Sequence, residues 1–292
     1  MFQVVQLIRR LRRIFLNGLR FGLVNRDVRP EVARSCIEYW KLAIGTEFAS
    51  FGRQHNPSRP VYILGLKLYT FDLGLLLFLM NEIFLRRQYA FEPTGETPLI
   101  IDCGSNIGIS ILFFKMLLPR SKIIGFEPDK ETFELLSRNI TENGLSDVCL
   151  HNMAVSSTTG HVTFYSNSRS RGSLLMSLVK ERIAGDARQV PCATLSSFVQ
   201  EPIDLLKVDI EGAEMDVMRE LTASGALKHV NAMLMEFHHH IKPDSSLADM
   251  LNLLQQQSFG YDIGATLPAS LGKFQDILIR VYNEKSRGLS AA

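Results

Sequence analysis

The sequence predicts an α/β fold organised around a mostly parallel β-sheet. Largely apolar runs at residues 99–101, 122–126 and 203–208 each lead to an acidic residue, namely Asp102, Glu127 and Asp209. Short apolar runs of this kind are typical of parallel strands that are buried on both faces. A turn and a helical pattern follow each run. This alternation of strands with helices indicates a Rossmann-like sheet with helices on both faces.

The turn after the first strand has the composition of a nucleotide-binding loop. Residues 102–108 read Asp-Cys-Gly-Ser-Asn-Ile-Gly, and a helical pattern continues from there to Pro119. Gly104 and Gly108 allow the backbone to turn sharply and to approach a ligand where a Cβ would interfere. A strand, a glycine turn and a helix form the nucleotide pocket at the carboxyl end of such a sheet.

The identity of the residues in this turn favours one nucleotide over another. The dinucleotide fingerprint G-x-G-x-x-G holds a pyrophosphate at the helix N-terminus, but this turn keeps only one glycine of the first pair. We expect Asp102 to point into the pocket, where it would repel a pyrophosphate and suit a ligand that carries an ammonium and a sulfonium group. S-adenosylmethionine (SAM) is such a ligand. NAD remains the less favoured alternative.

The second and third strands supply the next candidate ligand contacts. Glu127 ends the second strand about 20 residues beyond the glycine turn, where a ribose-binding acid is expected, and its carboxylate can accept hydrogen bonds from both ribose hydroxyls. Pro128 stops the strand, and Asp129 is placed to cap a helix from 130 to about 143. Asn152, Met153 and Ala154 follow the third strand, where the adenine of a nucleotide would lie.

Ionisable residues gather at the ends of the fourth and fifth strands. Lys207 interrupts the fourth strand and needs a carboxylate partner, either Asp209 or Glu211. His238 lies at the polar end of the fifth strand, 232–240, and is a candidate general base near neutral pH. Such a set of acids and histidines can also bind a divalent metal, but three consecutive histidines are more often partly exposed, so no metal site is assigned.

Composition and charge narrow the function classes. The chain has 292 residues and a net charge of +2, which argues against a general nucleic-acid binder. Its four cysteines are scattered and form no C-x-x-C pair, which favours a reduced, cytoplasmic compartment over a disulfide framework or a zinc knuckle. A homodimer is compatible with the sequence.

The N-terminus predicts a basic amphipathic helix. Five arginines, at positions 9, 10, 12, 13 and 20, alternate with apolar residues at helical spacing, with no uninterrupted apolar core and no signal-peptide cleavage site. Such a helix can lie on an anionic membrane surface, which would make the protein peripheral to the membrane. Packing against the protein's own body or a partner chain is an equally good interpretation.

The remaining patterns organise the chain. Residues 31–51 and 73–86 read as helices, and 61–71 as a hairpin centred on Gly65. A proline- and glycine-containing linker at 92–98 separates a predicted N-terminal extension, 1–92, from the main domain, 93–285. The polar loop 166–173 is a candidate substrate lid. The two last strands, near 261–263 and 276–281, are expected to be antiparallel at the sheet edge.

Several of these segments together resemble the FkbM family of SAM-dependent methyltransferases, over roughly residues 81–281. The resemblance lies in Ile-Asp-Cys-Gly-Ser-Asn-Ile-Gly, Gly-Phe-Glu-Pro-Asp, Asn-Met-Ala-Val, Leu-Lys-Val-Asp-Ile-Glu-Gly-Ala-Glu and Met-Glu-Phe-His. The Lys-x-Asp-x-Glu-Gly block is the most specific of these, and Ser105 stands where the family usually has Ala or Pro. The resemblance implies a class I methyltransferase fold, with a seven-stranded sheet whose last strand is reversed.

The resemblance also implies an activity: O-methylation of a free hydroxyl on a saccharide, glycolipid or secondary metabolite. The implied cofactor-binding residues are Asp102, Gly104, Ser105, Asn106, Gly108, Glu127, Pro128, Asn152, Met153 and Ala154. Asp209, Glu211 and His238 would face the acceptor, with His238 or Asp209 as base and Lys207 orienting the carboxylates. A non-catalytic SAM-binding protein, or a membrane-associated scaffold, is the competing interpretation.

Overall fold

The structure is a computed structural model that describes residues 2–49, 55–166, 177–179, 186–241, 246–265 and 275–284. Its α-helices are α1 (Phe2–Val24), α2 (Val32–Ala49), α3 (Leu73–Leu79), α4 (Ile109–Leu117), α5 (Lys130–Glu142), α6 (Glu214–Ser224) and α7 (Leu247–Gln256). A π-helical segment, Met80–Leu85, continues α3, and short 3-10 helices occupy Leu195–Phe198 and Ala226–His229.

Twelve strands alternate with these helices in the described part of the chain. They are β1 (Val61–Ile63), β2 (Leu66–Leu68), β3 (Leu99–Cys103), β4 (Lys122–Phe126), β5 (Val148–His151), β6 (Ala154–Ser156), β7 (Gly160–Ser166), β8 (Asp186–Thr194), β9 (Leu205–Val208), β10 (Ala232–His239), β11 (Phe259–Ala265) and β12 (Gln275–Asn283). The candidate lid, 166–173, lies outside the described residues except for Ser166.

The main sheet has seven strands in the order β11-β12-β10-β9-β3-β4-β5. Strands β5, β4, β3, β9 and β10 pair in parallel, whereas β12 is antiparallel to both β10 and β11. Only β12 is therefore reversed, and the predicted mostly parallel α/β sheet is confirmed. Strand order changes direction at β3, and the carboxyl ends of β3, β4 and β9 meet at the ligand-binding edge of such a sheet.

Helices α6 and α7 cover one face of this sheet. Alternate residues of β9, β10 and β12 point to that face and form one apolar core with both helices, because successive side chains of a strand point in opposite directions. The helical contributors to this core are Met215, Val217, Met218, Leu221, Met250 and Leu254. Gly225, with φ of 74°, ends α6 at the position expected from the sequence.

A smaller sheet, β6-β8-β7, follows β5 in the chain. Strand β8 pairs in parallel with β6 and antiparallel with β7. Its apolar side chains, Ala154, Phe164, Val190 and Cys192, form a core of their own.

The chain divides into two compact units, and the division differs from a simple cut in the sequence. One unit comprises Met1–Ala90, Ile107–Pro119 and Glu134–Leu145, and the other comprises Phe91–Asn106, Arg120–Phe133 and Ser146–Ala292. The predicted boundary at residues 92 and 93 stays a prediction. None of the described helices has both the length and the apolar character that crossing a membrane requires.

In the first unit, the buried Asn139 of α5 joins that helix to the segment after β2. Its side chain accepts a hydrogen bond from Tyr69 N (2.7 Å) and donates to Tyr69 O (3.0 Å) and Ile107 O (2.8 Å). The Arg138 guanidinium lies 3.5 Å from the centroid of the Tyr69 ring. The hairpin β1–β2 turns through Leu64 and Gly65, both with positive φ, as the central glycine of the segment predicts.

Close helix packing in the same unit depends on two glycines of α1. A Cβ at Gly18 would overlap the Trp40 indole, and one at Gly22 would lie 2.5 Å from Cys36 Sγ and 2.7 Å from Val32 O. The ring of Phe21 then packs against Tyr39, with centroids 4.9 Å apart. The small side chains of α1 therefore let the helix approach α2 closely.

We expect Gly22→Ala to destabilise the protein by about 1–3 kcal/mol, because the backbone carbonyl of Val32 cannot move aside cheaply. Gly45→Ala is the matched control, since a Cβ there meets nothing closer than Leu73 Cδ1 at 3.6 Å. The control should stabilise the helix by up to ~1 kcal/mol. Urea unfolding of both variants checks this, and an equal effect of the two substitutions would contradict the packing argument.

Candidate active site

A cleft with about 600 Å³ of open space lies at the carboxyl ends of β3, β4 and β9. The cleft is lined by Gly104, Asn106, Phe126, Glu127, Pro128, Met153, Ala154, Val155, Phe164, Leu178, Asp209, Ile210 and Glu211.

Beneath the cleft, Lys207 joins two strand ends. Its Nζ lies 3.1 Å from Asp102 Oδ1 and 3.5 Å from Asp209 Oδ2, and it donates to Gly104 O at 2.9 Å. Asp102 and Lys207 face each other because β3 and β9 pair in parallel with these two residues in register. The carboxylate of Asp102 is fully buried. The expectation that Asp102 points into the pocket is therefore wrong, because the carboxylate is directed to Lys207.

The glycine turn is shaped by backbone contacts. Gly104 has φ of 84°, and a Cβ there would overlap the Asp209 carbonyl oxygen. The amides of Gly104 and Ser105 both donate to Phe126 O, at 3.1 and 2.9 Å. Ser105 is buried and its hydroxyl donates to Asp102 O, so this side chain stabilises the turn and does not line the cleft.

Gly108, the second glycine of the turn, is the residue immediately before α4. It is left-handed, with φ of 90°, and unlike Gly104 it belongs to the first compact unit, where a Cβ would lie 2.7 Å from Leu136 Cδ1. It is not among the residues that line the cleft.

Glu127 is held at the cleft wall by two backbone amides. Its Oε2 accepts from Asn106 N (3.0 Å) and its Oε1 from Asp129 N (2.8 Å). Burial raises the pKa of Glu127 to about 8, although the Asn106 amide and the charge of Lys207 oppose the rise. Asp129 accepts a hydrogen bond from Thr132 N at 2.7 Å, so the predicted helix cap is present.

The opposite wall comes from the segment after β5. Asn152 is not at the surface of the cleft. Its amide donates to Glu127 O (2.9 Å) and Pro128 O (3.3 Å) and so joins the ends of two strands. Met153 and Ala154 do line the cleft, as do the apolar side chains Phe126, Val155, Phe164, Leu178 and Ile210, which the sequence analysis did not single out. Phe164 belongs to β7, which lies far along the chain from the glycine turn, so no local sequence pattern indicated that it lines the cleft.

At the far end, the loop after β9 brings several acids to His238. Glu211 has φ of 55° and Gly212 has φ of 104°, so the chain turns back on itself. Ser177 Oγ donates to Glu211 O and fixes this turn. The His238 Nε2 atom lies 3.2 Å from Glu211 Oε2, 3.9 Å from Asp209 Oδ1 and 3.7 Å from Asp276 Oδ1.

The other ring nitrogen of His238 contacts a residue that the sequence analysis did not assign. Its Nδ1 lies 2.7 Å from Oε1 of the fully buried Glu214, and that oxygen also accepts from Gly212 N at 2.9 Å. Glu214 is the last residue of the Lys-x-Asp-x-Glu-Gly-x-Glu block, so its position in that motif was the available signal.

The negative charges around His238 raise the pKa of its imidazole. Burial alone would lower the pKa of His238, but the charge of Glu214 and the hydrogen bonds to Glu211 and Glu214 hold it well above its usual value. The contacts with Glu214 and Glu211 therefore favour the protonated form of the imidazole. The charge of Asp209, together with burial, raises the pKa of the neighbouring Glu236 to about 8.

Two overlapping groups of side chains in the described residues have the donor atoms of a divalent metal site. They are Asp209, Glu211 and His238, and Glu236, His238 and Asp276, with the atoms of each group within 4.8 Å of one another. Carboxylate and imidazole donors suit several divalent ions.

Strand order and the single reversed strand define a class I methyltransferase fold, and the cleft lies at the edge where such sheets bind nucleotides. The family model of the methyltransferase FkbM domain matches residues 102–263. The chain therefore belongs to the FkbM methyltransferase family.

Three curated relatives support this assignment. Methyltransferase 1 of Beauveria bassiana is 32% identical over 49% of this chain and 66% of its own length, and methyltransferase sdnD of Sordaria araneosa is 30% identical over 49% and 67%. Hexuronic acid methyltransferase AglP of Haloferax volcanii is 27% identical over 59% of this chain and 67% of its own length. The chain thus spans about two thirds of each relative.

We expect Glu214→Gln to lower the pKa of His238, because the substitution removes the negative charge nearest to Nδ1. Histidine NMR signals followed between pH 5 and 10 measure the change, since protonation shifts the ring resonances within roughly this range. Glu220→Gln, on the same helix, is the control and should leave the His238 titration unchanged. An unchanged titration in Glu214→Gln would mean that Glu214 does not set this pKa.

Proposed function

We propose that the chain transfers a methyl group from SAM to a hydroxyl oxygen of a small-molecule or glycan acceptor. The observation that carries the proposal is the cleft itself, in which Glu127 lies on one wall and Asp209 and Glu211 lie on another. Family membership supports methyl transfer, and the glycine turn and the strand-end acid support SAM as the donor.

The residues present fit SAM. Glu127 offers carboxylate oxygens at the cleft surface, as two ribose hydroxyls require, and its position is fixed by the amides of Asn106 and Asp129. Apolar side chains suited to an adenine ring, including Met153 and Val155, line the same cleft. The backbone of Gly104 and Asn106 would contact the methionine portion, and Asp102 would act through Lys207 beneath the turn.

When bound, SAM supplies a methyl group on a positively charged sulfur. The sulfur is a good leaving group, because it departs as the neutral thioether of S-adenosylhomocysteine. The protein must then align the acceptor oxygen with the methyl carbon and take up the hydroxyl proton. We assign proton uptake to Asp209, because Asp209 lines the cleft, whereas His238 is buried and its two ring nitrogens face Glu211 and Glu214. Lys207 holds Asp209 in place. His238 orients Glu211.

A sugar hydroxyl is the acceptor class that we favour. One relative is named for methylation of a hexuronic acid, and the polar end of the cleft at Asp209 and Glu211 can accept hydrogen bonds from neighbouring sugar hydroxyls. An acceptor panel of hexuronic acids, neutral sugars and hydroxylated polyketides, with release of S-adenosylhomocysteine as readout, tests this choice. Turnover of polyketides alone would overturn it.

Binding of SAM should strengthen as pH rises towards about 8, because the ionised form of Glu127 accepts both ribose hydrogen bonds and its pKa is about 8. Below that pH, binding must expel a proton, so affinity should fall by up to about tenfold per pH unit. Glu127→Gln should bind weakly and lose this pH dependence, whereas exposed Glu201→Gln should behave as wild type. Isothermal titration calorimetry with SAM at several pH values measures the Kd of the wild type and of both variants.

The same titration separates the competing functions. Binding of NAD without binding of SAM would replace the methyltransferase proposal by an oxidoreductase. Binding of SAM with no turnover on any acceptor in the panel would favour a non-catalytic SAM-binding protein.

Substitution of the proposed base should slow the reaction and leave the donor bound. We expect Asp209→Asn to lower kcat by about 100-fold or more, since a general base contributes factors of this size, with the Kd for SAM within about twofold of wild type because the amide keeps the shape of the side chain. Asp262→Asn, exposed on β11, is the control. Full turnover in Asp209→Asn would exclude Asp209 as the base.

A further inference from the structure

Helix α1 has two apolar faces, and only one of them packs on the protein. Gly18, Phe21 and Gly22 belong to the buried face, which contacts α2. The other face exposes large apolar side chains along most of the helix. These are Ile8, Phe15, Leu16, Leu19 and Leu23, each between 38% and 59% exposed. Leu7 and Leu11 lie in line with Gly18 by helical periodicity, but they too are exposed, at 55% and 52%.

The exposed apolar strip continues onto α2. Phe15 stacks on Trp40 with ring centroids 5.3 Å apart, and Trp40 Nε1 donates to Phe15 O at 3.2 Å. Ile37 and Ile44, which are 47% and 45% exposed, flank Trp40 at helical spacing and so share its side of α2. Two adjacent helices therefore present one apolar surface, which we call the α1–α2 face.

On the α1 side of this surface, all of the charged residues are basic. Residues 1–26 contain six arginines, at positions 9, 10, 12, 13, 20 and 26, and no acidic residue. Helical periodicity places Arg9, Arg12, Arg13 and Arg20 beside the apolar strip, on the side away from the buried face. Arg10 and Glu47 are 3.8 Å apart and largely exposed, so this ion pair does little to neutralise the face.

We propose that the α1–α2 face docks on an anionic membrane surface, with α1 lying in the plane of the interface. Apolar side chains would enter the boundary between headgroups and acyl chains, and the arginines would contact lipid phosphates. A second copy of the chain is a poorer occupant, because it would bring a second set of arginines against the first. Apolar burial and basic charge together provide the two signals that stable peripheral binding needs.

Flotation of the full chain with vesicles tests the proposal. We expect binding to vesicles of equal parts phosphatidylcholine and phosphatidylglycerol at least about tenfold above binding to phosphatidylcholine alone, because each arginine near an anionic surface contributes about fivefold. The preference should shrink between about 0.1 M and about 1 M salt, as the screening length falls from about 10 Å to about 3 Å.

Substitutions separate the two contributions. The pair Ile8→Glu and Leu11→Glu should lower binding at least about tenfold, and the triple Arg9→Gln, Arg12→Gln and Arg13→Gln should lower it about 100-fold on anionic vesicles only. Tyr62→Ser, at an aromatic side chain that is 57% exposed on β1, is the control and should bind as wild type. Circular dichroism and thermal unfolding confirm that each variant is folded.

Three results would overturn the proposal: no binding to either vesicle, equal binding to both, or unchanged binding of the glutamate pair. A dimer in the absence of lipid that the glutamate pair dissociates would show that a second copy covers the α1–α2 face instead.

Discussion

The buried contact of Lys207 with Asp102 and Asp209 is the constraint on which the site depends. A lysine inside a parallel strand is tolerated only with a carboxylate in reach, and the register of β3 against β9 supplies Asp102 directly opposite. Removal of one partner from such a pair leaves an uncompensated buried charge and costs about 3–5 kcal/mol. The same ammonium group binds Gly104 O, so the pair positions the glycine turn as well as Asp209.

A second cluster of charged side chains surrounds His238 at the far end of the cleft, and two of its members, His238 and Glu236, have raised pKa values. Burial alone would lower the pKa of His238, but Glu214 and Glu211 at its two ring nitrogens hold that pKa well above its usual value. The charge of Asp209 and burial raise the pKa of Glu236 to about 8. The Nε2 atom of His238 lies within 3.9 Å of carboxylate oxygens of Glu211, Asp209 and Asp276. The same atoms have the spacing of a metal site, so a divalent ion and a proton would compete for His238.

The sequence analysis was most successful where the local pattern is strong. Apolar runs ending in Asp102, Glu127 and Asp209 located three neighbouring strands, and the glycine and proline signals located most turns and helix ends. It was wrong about the direction of the Asp102 side chain, because the partner that attracts it lies 105 residues later in the chain, at Lys207. It also left Glu214 without a role, since only the folded chain brings it to His238.

By itself, then, the sequence determined the α/β class, the glycine turn, the acidic residue at the end of β4 and the amphipathic character of α1, because each depends on residues close together in the chain. Only the tertiary structure decided which ionisable groups lie in contact, which apolar residues, such as Phe164, form the cleft wall, and which side of α1 is buried. These properties depend on the pairing of distant strands and on the packing of α1 against α2, and no local sequence pattern encodes either.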